Sequence, residues 1–333
     1  MEIKDFGRVG VLMGGPSSER EISLKSGQAV FSALKEAGLE VVAIDIAMDN
    51  LQENSSLLKK YNLDCAFIAL HGRYGEDGVI QGILDRLNLP FTASGVRASQ
   101  LAMDKIGSLE IFSQAGLCVP KSQFIKKSIY QKSYAFGKGP AFKNQLGFPL
   151  VVKPANQGSS IGLSLVERGQ ELPAAIDLAF QFDEHIILQE YVSGRELTVG
   201  ILDEQALPVI EIIPKHKFFD FTAKYQTGST QYIVPAVLGP RVTLEVQKAA
   251  LRAHKFLGCY GCSRVDIILA KDGSVCILEV NTIPGMTATS LLPKAAKIAG
   301  IDFSRLCLKL LELAYASAPF KGLVNEIKEG GAG

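Results

Sequence analysis

The chain reads as an α/β protein built from three successive units, and three features predict this. Residues 1–96 alternate strand and helix signals; residues 97–192 do so around a Gly/Ser-rich loop; residues 193–325 carry a tight-turn dipeptide, Asp272-Gly273, between two apolar runs. A length of 333 residues suits two or three domains.

In the first unit, 8–13 (RVGVLM), 40–46 (EVVAIDI) and 63–70 (LDCAFIAL) are short apolar strands, with helices over roughly 20–37 and 78–88. Such β-α-β alternation predicts a parallel sheet covered by helices, because parallel neighbours need a crossover. The second unit has helical segments around 98–115, strands at 149–153 (PLVVK), 162–166 (GLSLV) and 186–190 (IILQE), and a helix near 170–182. The third has strands at 195–202 and 207–213, an irregular 215–235, a helix at 241–257, a hairpin over 264–281, and helices near 290–299 and 302–316. A structureless connection as long as 215–235 points to a functional cover. Residues 326–333 are expected to form a flexible tail.

Composition excludes several function classes. Lys plus Arg number 35 against 34 acidic residues, so no global field draws nucleic acid or an anionic membrane. The basic stretch Lys126, Lys127, Lys132 and Lys138, interleaved with Tyr130, Tyr134 and Phe136, is expected to be a solvated loop. No run approaches the ~18 apolar residues of a membrane span. The opening residues lead into a strand without a signal-peptide core, which predicts a cytoplasmic protein. Cys65, Cys276 and Cys307 sit in apolar runs, and Cys259-x-x-Cys262 lacks a second ligand pair; all are read as packing residues.

The hairpin carries the strongest chemical signal. A two-residue Asp272-Gly273 loop would set Asp266 opposite Glu279 and Arg264 opposite Asn281, all on one face. Two carboxylates ~5 Å apart repel by roughly 3 kcal/mol at an effective dielectric of about 20. A hard cation resolves the conflict, and the oxygen set Asp266, Glu279, Asn281 suits Mg²⁺ bridging to phosphates. The bland alternative is an exposed polar face on which Arg264 neutralises Asp266.

KPANQGSSIG (153–162) lies between two strands, where successive N–H groups can cradle an anion, with Lys153 and Lys105 as clamps. The same residues could serve only the turn. A Walker loop is absent, and GGPSSER lacks the GxGxxG spacing of nicotinamide sites. The backbone of 189–196 could meet an adenine edge and Glu196 a ribose, or the run could be a polar hinge.

Together these stretches resemble the D-alanine–D-alanine ligases, members of the ATP-grasp carboxylate–amine ligases. The matching motifs run in the family's order: GGPSSEREISLKSG (14–27), HGRYGEDG (71–78), MDK (103–105), FPLVVKPANQGSSIG (148–162), GRELTVGIL (194–202), FFDFTAKY (218–225), RVD (264–266) and LEVNTIPGMTATSLLP (278–293). The resemblance implies a three-domain ATP-grasp architecture that joins two D-alanines through a D-alanyl phosphate, with ADP and phosphate released. It implies ATP and two Mg²⁺ on Asp266, Glu279 and Asn281, with Mn²⁺ as a substitute and K⁺ as a candidate activator. A cytoplasmic homodimer, contacting neither nucleic acid nor membrane, completes the expectation.

Residue roles follow from the same resemblance. Lys105, Lys153, Ser160 and Lys224 would hold phosphates, and Gln189, Glu190, Val192 and Glu196 the adenosine. Glu19 would hold the first ammonium, linked to Ser159 and Tyr225; Arg264 and the Gly285 N–H would face the oxyanion. Ser290 with Leu291 would take the second carboxylate at a helix start, and His71 and Glu76 would support the first substrate. Taken singly, Glu19 is an early helix acid, Ser290 an N-cap, His71 a structural histidine, and Lys224 and Tyr225 loop residues. Gln189-Glu190 and Phe221 depart from the residues most frequent in relatives. Two alternatives remain at this stage: a D-lactate or D-serine ligase of the same fold, which Lys224-Tyr225 disfavours, and a non-catalytic nucleotide-binding relic.

Overall fold

The computed structural model describes residues 6–135, 144–158, 161–214 and 230–329. Its first sheet is parallel, in the order β2 (Glu40–Asp45), β1 (Arg8–Met13), β3 (Cys65–Ile68). Strand alternation sorts its side chains. Val9, Val11, Met13 and Phe67 pack on one face with Val30 and Leu34 of α1 (Arg20–Glu36). Leu12, Ala66 and Ile68 pack on the other with Leu58 of α2 (Leu51–Lys59) and Ile80 and Leu84 of α3 (Val79–Arg86). Helix α2 was not anticipated: it is short and polar, and Asn50 caps it by accepting from Gln52 and Glu53 N–H groups.

The helical stretch near 98–115 is two helices, α4 (Val96–Met103) and α5 (Lys105–Gln114), broken at Asp104. Asp104 is extended, and its carboxylate caps α5 by accepting the Ile106 N–H. The second sheet is antiparallel, with order β4 (Ser122–Lys126), β7 (His185–Glu190), β5 (Leu150–Pro154), β6 (Ser164–Val166). One face packs on α7 (Leu172–Ala179) through Leu150, Val152, Ile186 and Leu188. Where it is described, the basic stretch is not a loop: Lys126 ends the edge strand β4 and Lys127 opens α6 (Lys127–Ala135), while Phe136 and Lys138 lie outside the described residues. Half-exposed on an edge, β4 has no apolar run of its own; pairing with β7 makes it a strand.

The third sheet runs β11 (Thr230–Ile233), β10 (Ile210–Pro214), β8 (Gly194–Leu202), β12 (Cys262–Ala270), β13 (Val275–Asn281), with β9 (Gln205–Ala206) on β8. Strand β11 falls within the stretch expected to be irregular. One face packs on α8 (Pro240–Phe256) through Val199, Val265, Ile277 and Val280. Helix α9 (Leu291–Ile298) follows, and α10 (Phe303–Glu329) returns to the α1 side of the first sheet through Leu306 and Leu310. Its backbone continues well past the expected end near 316, so 326–329 are helical; 330–333 lie outside the described residues.

The β12–β13 hairpin corrects the sequence reading while keeping its outcome. The loop has three residues, not two: Ala270 N–H donates to Ser274 O at 2.9 Å, and Gly273 adopts φ 90°. Leu269 therefore pairs with Val275 and Ile267 with Ile277, and a bulge at Leu278 then restores Asp266 opposite Glu279 and Arg264 opposite Asn281. Two one-residue irregularities cancel.

Cys276 is also more than a packing residue. It is disulfide-bonded to Cys118, 158 residues away, with Cα atoms 4.6 Å apart, and Ile277 N–H donates to Cys118 O. A contact across that separation leaves no spacing signal. Cys259 and Cys262 are free, and burial pushes both thiols up to about 12, as packing residues require. Among the described residues no helix is long and apolar enough to cross a membrane.

Candidate active site

The second and third sheets turn their remaining faces toward each other. Between them lies a cavity of about 460 Å³, with Val151 and Lys153 of β5, Gln189 of β7, Glu196 of β8 and Leu278 of β13 in its walls. The bulge explains Leu278: Ile277 and Val280 stay in the core while Leu278 and Glu279 both turn into the cleft. A second cavity, about 650 Å³, opens between the first unit and the segment after β13. Lys105, Gly158, Ile212, Asp266 and Glu279 border both cavities, so the facing carboxylates stand where the two spaces meet.

Every expected site residue within the described range borders one cavity or both. Lys153, Gln189, Glu190, Val192 and Glu196 lie on the first; Glu19, His71, Glu76, Arg264 and Asn281, with Gly285, Ser290 and Leu291, lie on the second. Ser159, Ser160, Phe221, Lys224 and Tyr225 lie outside the described residues.

At the shared wall each carboxylate has a basic partner. Arg264 grips Asp266 in a fork, Nε to Oδ1 at 2.9 Å and an Nη2 to Oδ2 at 2.7 Å, and Thr198 Oγ1 donates to Oδ1 at 2.7 Å. Lys105 Nζ sits 3.4 Å from Glu279 Oε2 and donates to Gln157 O at 2.6 Å, tying the Gly/Ser loop to the same corner. The neutralisation of Asp266 by Arg264 is thus present, but inside a cavity wall rather than on an exposed face.

Glu19 is buried just before α1. Cβ atoms built at Gly72, which has φ 68°, and at Gly158 would come within 2.5 Å and 3.0 Å of its Oε2. The carboxylate therefore nests against both loops; Gly72 tolerates no side chain, and one at Gly158 would require Glu19 to shift. His71 Nδ1 lies 3.5 Å from Glu76 Oε1, and its Nε2 lies 2.9 Å from Ser26 Oγ.

Beyond β13, Asn281 Oδ1 accepts the Ile283 N–H at 2.8 Å, turning the chain toward Gly285. A Cβ on Gly285 would crowd Ser290 Oγ at 3.0 Å. Ser290 occupies the N-cap position of α9, yet its hydroxyl bonds back to Thr287 N and Oγ1, at 3.1 and 2.8 Å, rather than to the helix's own amides. At the first cavity, Glu190 Oε1 accepts Lys121 N–H at 2.8 Å and Gln189 Nε2 donates to Ser122 Oγ at 3.2 Å; both side chains brace β4 as well as lining the space.

Thr198 and Ser26 were not singled out from sequence. Thr198 sits two residues after Glu196 on the cavity face of β8, so strand periodicity offers the signal; Ser26 lies in the motif GGPSSEREISLKSG with no local signal of its own.

Among the described residues no group of three His, Cys, Asp or Glu side chains could hold a metal ion. The donor set Asp266, Glu279 and Asn281, two carboxylates and an amide oxygen around a cavity corner, still fits a hard divalent cation that completes its shell with water and phosphate oxygens.

Comparison with known proteins agrees along the chain. Residues 8–56 and 47–94 match the family model described as D-ala D-ala ligase N-terminus, and 111–312 match D-ala D-ala ligase C-terminus. The D-alanine–D-alanine ligase of Pelotomaculum thermopropionicum is 45% identical over 92% of this chain and 96% of its own. That of Geobacter sulfurreducens is 44% identical, covering 91% and 93%. Among solved structures, D-alanine–D-alanine ligase from Bacillus anthracis complexed with ATP superposes with a TM-score of 0.81 at 33% identity, over 95% of this chain and 100% of that one. The VanG D-Ala:D-Ser ligase from Enterococcus faecalis superposes with a TM-score of 0.77 at 31% identity, covering 92% and 99%.

Proposed function

The chain belongs to the D-alanine–D-alanine ligase family, and from that premise we propose how its residues divide the work. Its fold is the ATP-grasp architecture, and it is an ATP-dependent enzyme that ligates D-alanine to D-alanine. One observation carries the reading: Lys105, Asp266 and Glu279 border both cavities, so a nucleotide's terminal phosphate in the first would meet an amino-acid carboxylate in the second.

The reaction runs through a D-alanyl phosphate. An oxygen of the first carboxylate bonds to the γ-phosphorus and the bond to ADP breaks; the second amine then bonds to the carbonyl carbon, and phosphate leaves with the oxygen it gained. Lys105 and Lys153 bind the phosphates as point charges. Asp266, Glu279 and Asn281 would hold Mg²⁺ ions, with Mn²⁺ as a substitute; when bound these screen the phosphate charge. Glu19 orients the first ammonium, while Arg264 and the Gly285 N–H stabilise the tetrahedral oxyanion. The start of α9, with Ser290 and Leu291, takes the second carboxylate. Ser159, Ser160, Lys224 and Tyr225 keep the roles the resemblance implies.

The product would serve peptidoglycan precursor synthesis in the cytoplasm. We further take the chain to be a homodimer through its first unit, with unit boundaries at 96/97 and 192/193.

Phosphate release with ATP, Mg²⁺ and each acceptor, with the product weighed, tests the reading. D-Alanine-dependent release with D-Ala-D-Ala formed is expected. Product only with D-serine or D-lactate would move the chain to that class, and no turnover with any acceptor would leave a binding relic.

A further inference from the structure

Ser26 is fully buried in α1 and has no part in the roles above. Its hydroxyl lies 2.9 Å from His71 Nε2 and accepts the Met286 N–H at 3.3 Å, a bond between residues 260 apart in sequence. Across the imidazole, Nδ1 faces Glu76 Oε1 at 3.5 Å. The hydroxyl has one proton to give. Nδ1 faces the Glu76 carboxylate, which only accepts, so the ring proton lies on Nδ1 and Nε2 receives that hydroxyl proton. His71 is itself anchored: Ser17 Oγ donates to His71 O at 2.7 Å and accepts the Glu19 N–H at 3.2 Å. The chain of bonds thus begins beside Glu19 and ends one residue from Gly285. From the other side the glycine backs onto Ser290, whose Oγ would have to give way to a Cβ.

We propose that Ser26 is a positioning residue for acyl transfer: it pins the Gly285–Met286 backbone to α1 so that the Gly285 N–H faces the second cavity, while His71 and Glu76 fix the direction of its hydroxyl. This rests on the reading of Gly285 as an oxyanion donor. A misplacement of about 1 Å at such a donor can cost ~100-fold in rate, whereas the ATP cavity does not touch Ser26.

The test uses the full chain as wild type, S26A and S26T, with saturating ATP and D-alanine. S26A is expected to lower kcat by about 10- to 100-fold with the KM for ATP within about twofold, and S26T, which keeps the hydroxyl, to recover most of the loss. Thermal unfolding of each variant separates folding from positioning; if S26T does not fold, S26A decides alone. Turnover of folded S26A within twofold of wild type would overturn the proposal, as would a folded S26T no better than S26A, or a KM for ATP rising in step with the lost rate. Wild-type protein that makes no dipeptide would instead sink the functional reading, and this proposal with it.

Discussion

Asp266 is held by three hydrogen bonds, two from Arg264 and one from Thr198, while Glu279 shares Lys105 with the Gly/Ser loop. The two carboxylates are therefore differently constrained. Replacing Glu279 by Gln removes a charge from a partly exposed ion pair, so it should cost at most about 1 kcal/mol of stability. It also removes an oxygen anion from the phosphate corner and should reduce turnover at least ~100-fold. Assaying phosphate release beside a denaturation curve checks both; turnover near wild type would take Glu279 out of the site. Thr198→Val behaves oppositely. It leaves the shape but deprives a buried carboxylate of a donor, and urea unfolding should show a loss of about 1–2 kcal/mol.

At the scale of elements, the bulged hairpin decides what each cavity is made of. Leu278 is the extra residue, and its side chain adds apolar wall to the first cavity, the proposed nucleotide site, without displacing Glu279 from Asp266. Leu278→Ala should raise the KM for ATP several-fold and leave the KM for D-alanine unchanged in steady-state kinetics; equal effects on both would contradict this division. Helix α8 contributes a pH dependence. His254 packs with Nδ1 2.7 Å from Ser263 Oγ, and burial pushes it down to about 4 from 6.5. Between those values the unfolded chain binds a proton that the folded one does not, so this stability is complete above pH 6.5 and lost as pH falls toward 4. From pH 7 to pH 5 the loss is about 2 kcal/mol, and His254→Gln should flatten that slope in urea titrations. Strand β1 was legible because a parallel strand buried on both faces reads as a short continuous apolar run. Edge strand β4 and helix α2 were not, since tertiary pairing and a single Asn cap create them. The facing of Asp266 and Glu279 was read from a turn of the wrong length; the bulge that rescues it has no local signature.

The whole molecule sets three sheets around two adjoining spaces, and the chain crosses between them repeatedly. Helix α10 returns to the first sheet, the Ser26–Met286 bond ties that sheet's helix to the third unit, and Cys118–Cys276 ties the connection between α5 and β4 to β13. Labelling of denatured, unreduced protein should find the four free cysteines, Cys65, Cys259, Cys262 and Cys307, and labelling after reduction all six; six without reduction would remove the cross-link. Site residues so scattered, from Glu19 to Leu291, were legible only as motifs in order, because no spacing rule links a loop after β1 to a helix start near the C-terminus. The two spaces meet at Lys105, Asp266 and Glu279, and the proposed transfer of a phosphoryl group to a carboxylate is placed at that junction. The most direct test supplies D-alanine labelled with ¹⁸O in its carboxylate and weighs the phosphate released. Ligation through an acyl phosphate requires one ¹⁸O in each phosphate formed; unlabelled phosphate alongside dipeptide would mean that the carboxylate never received the phosphoryl group.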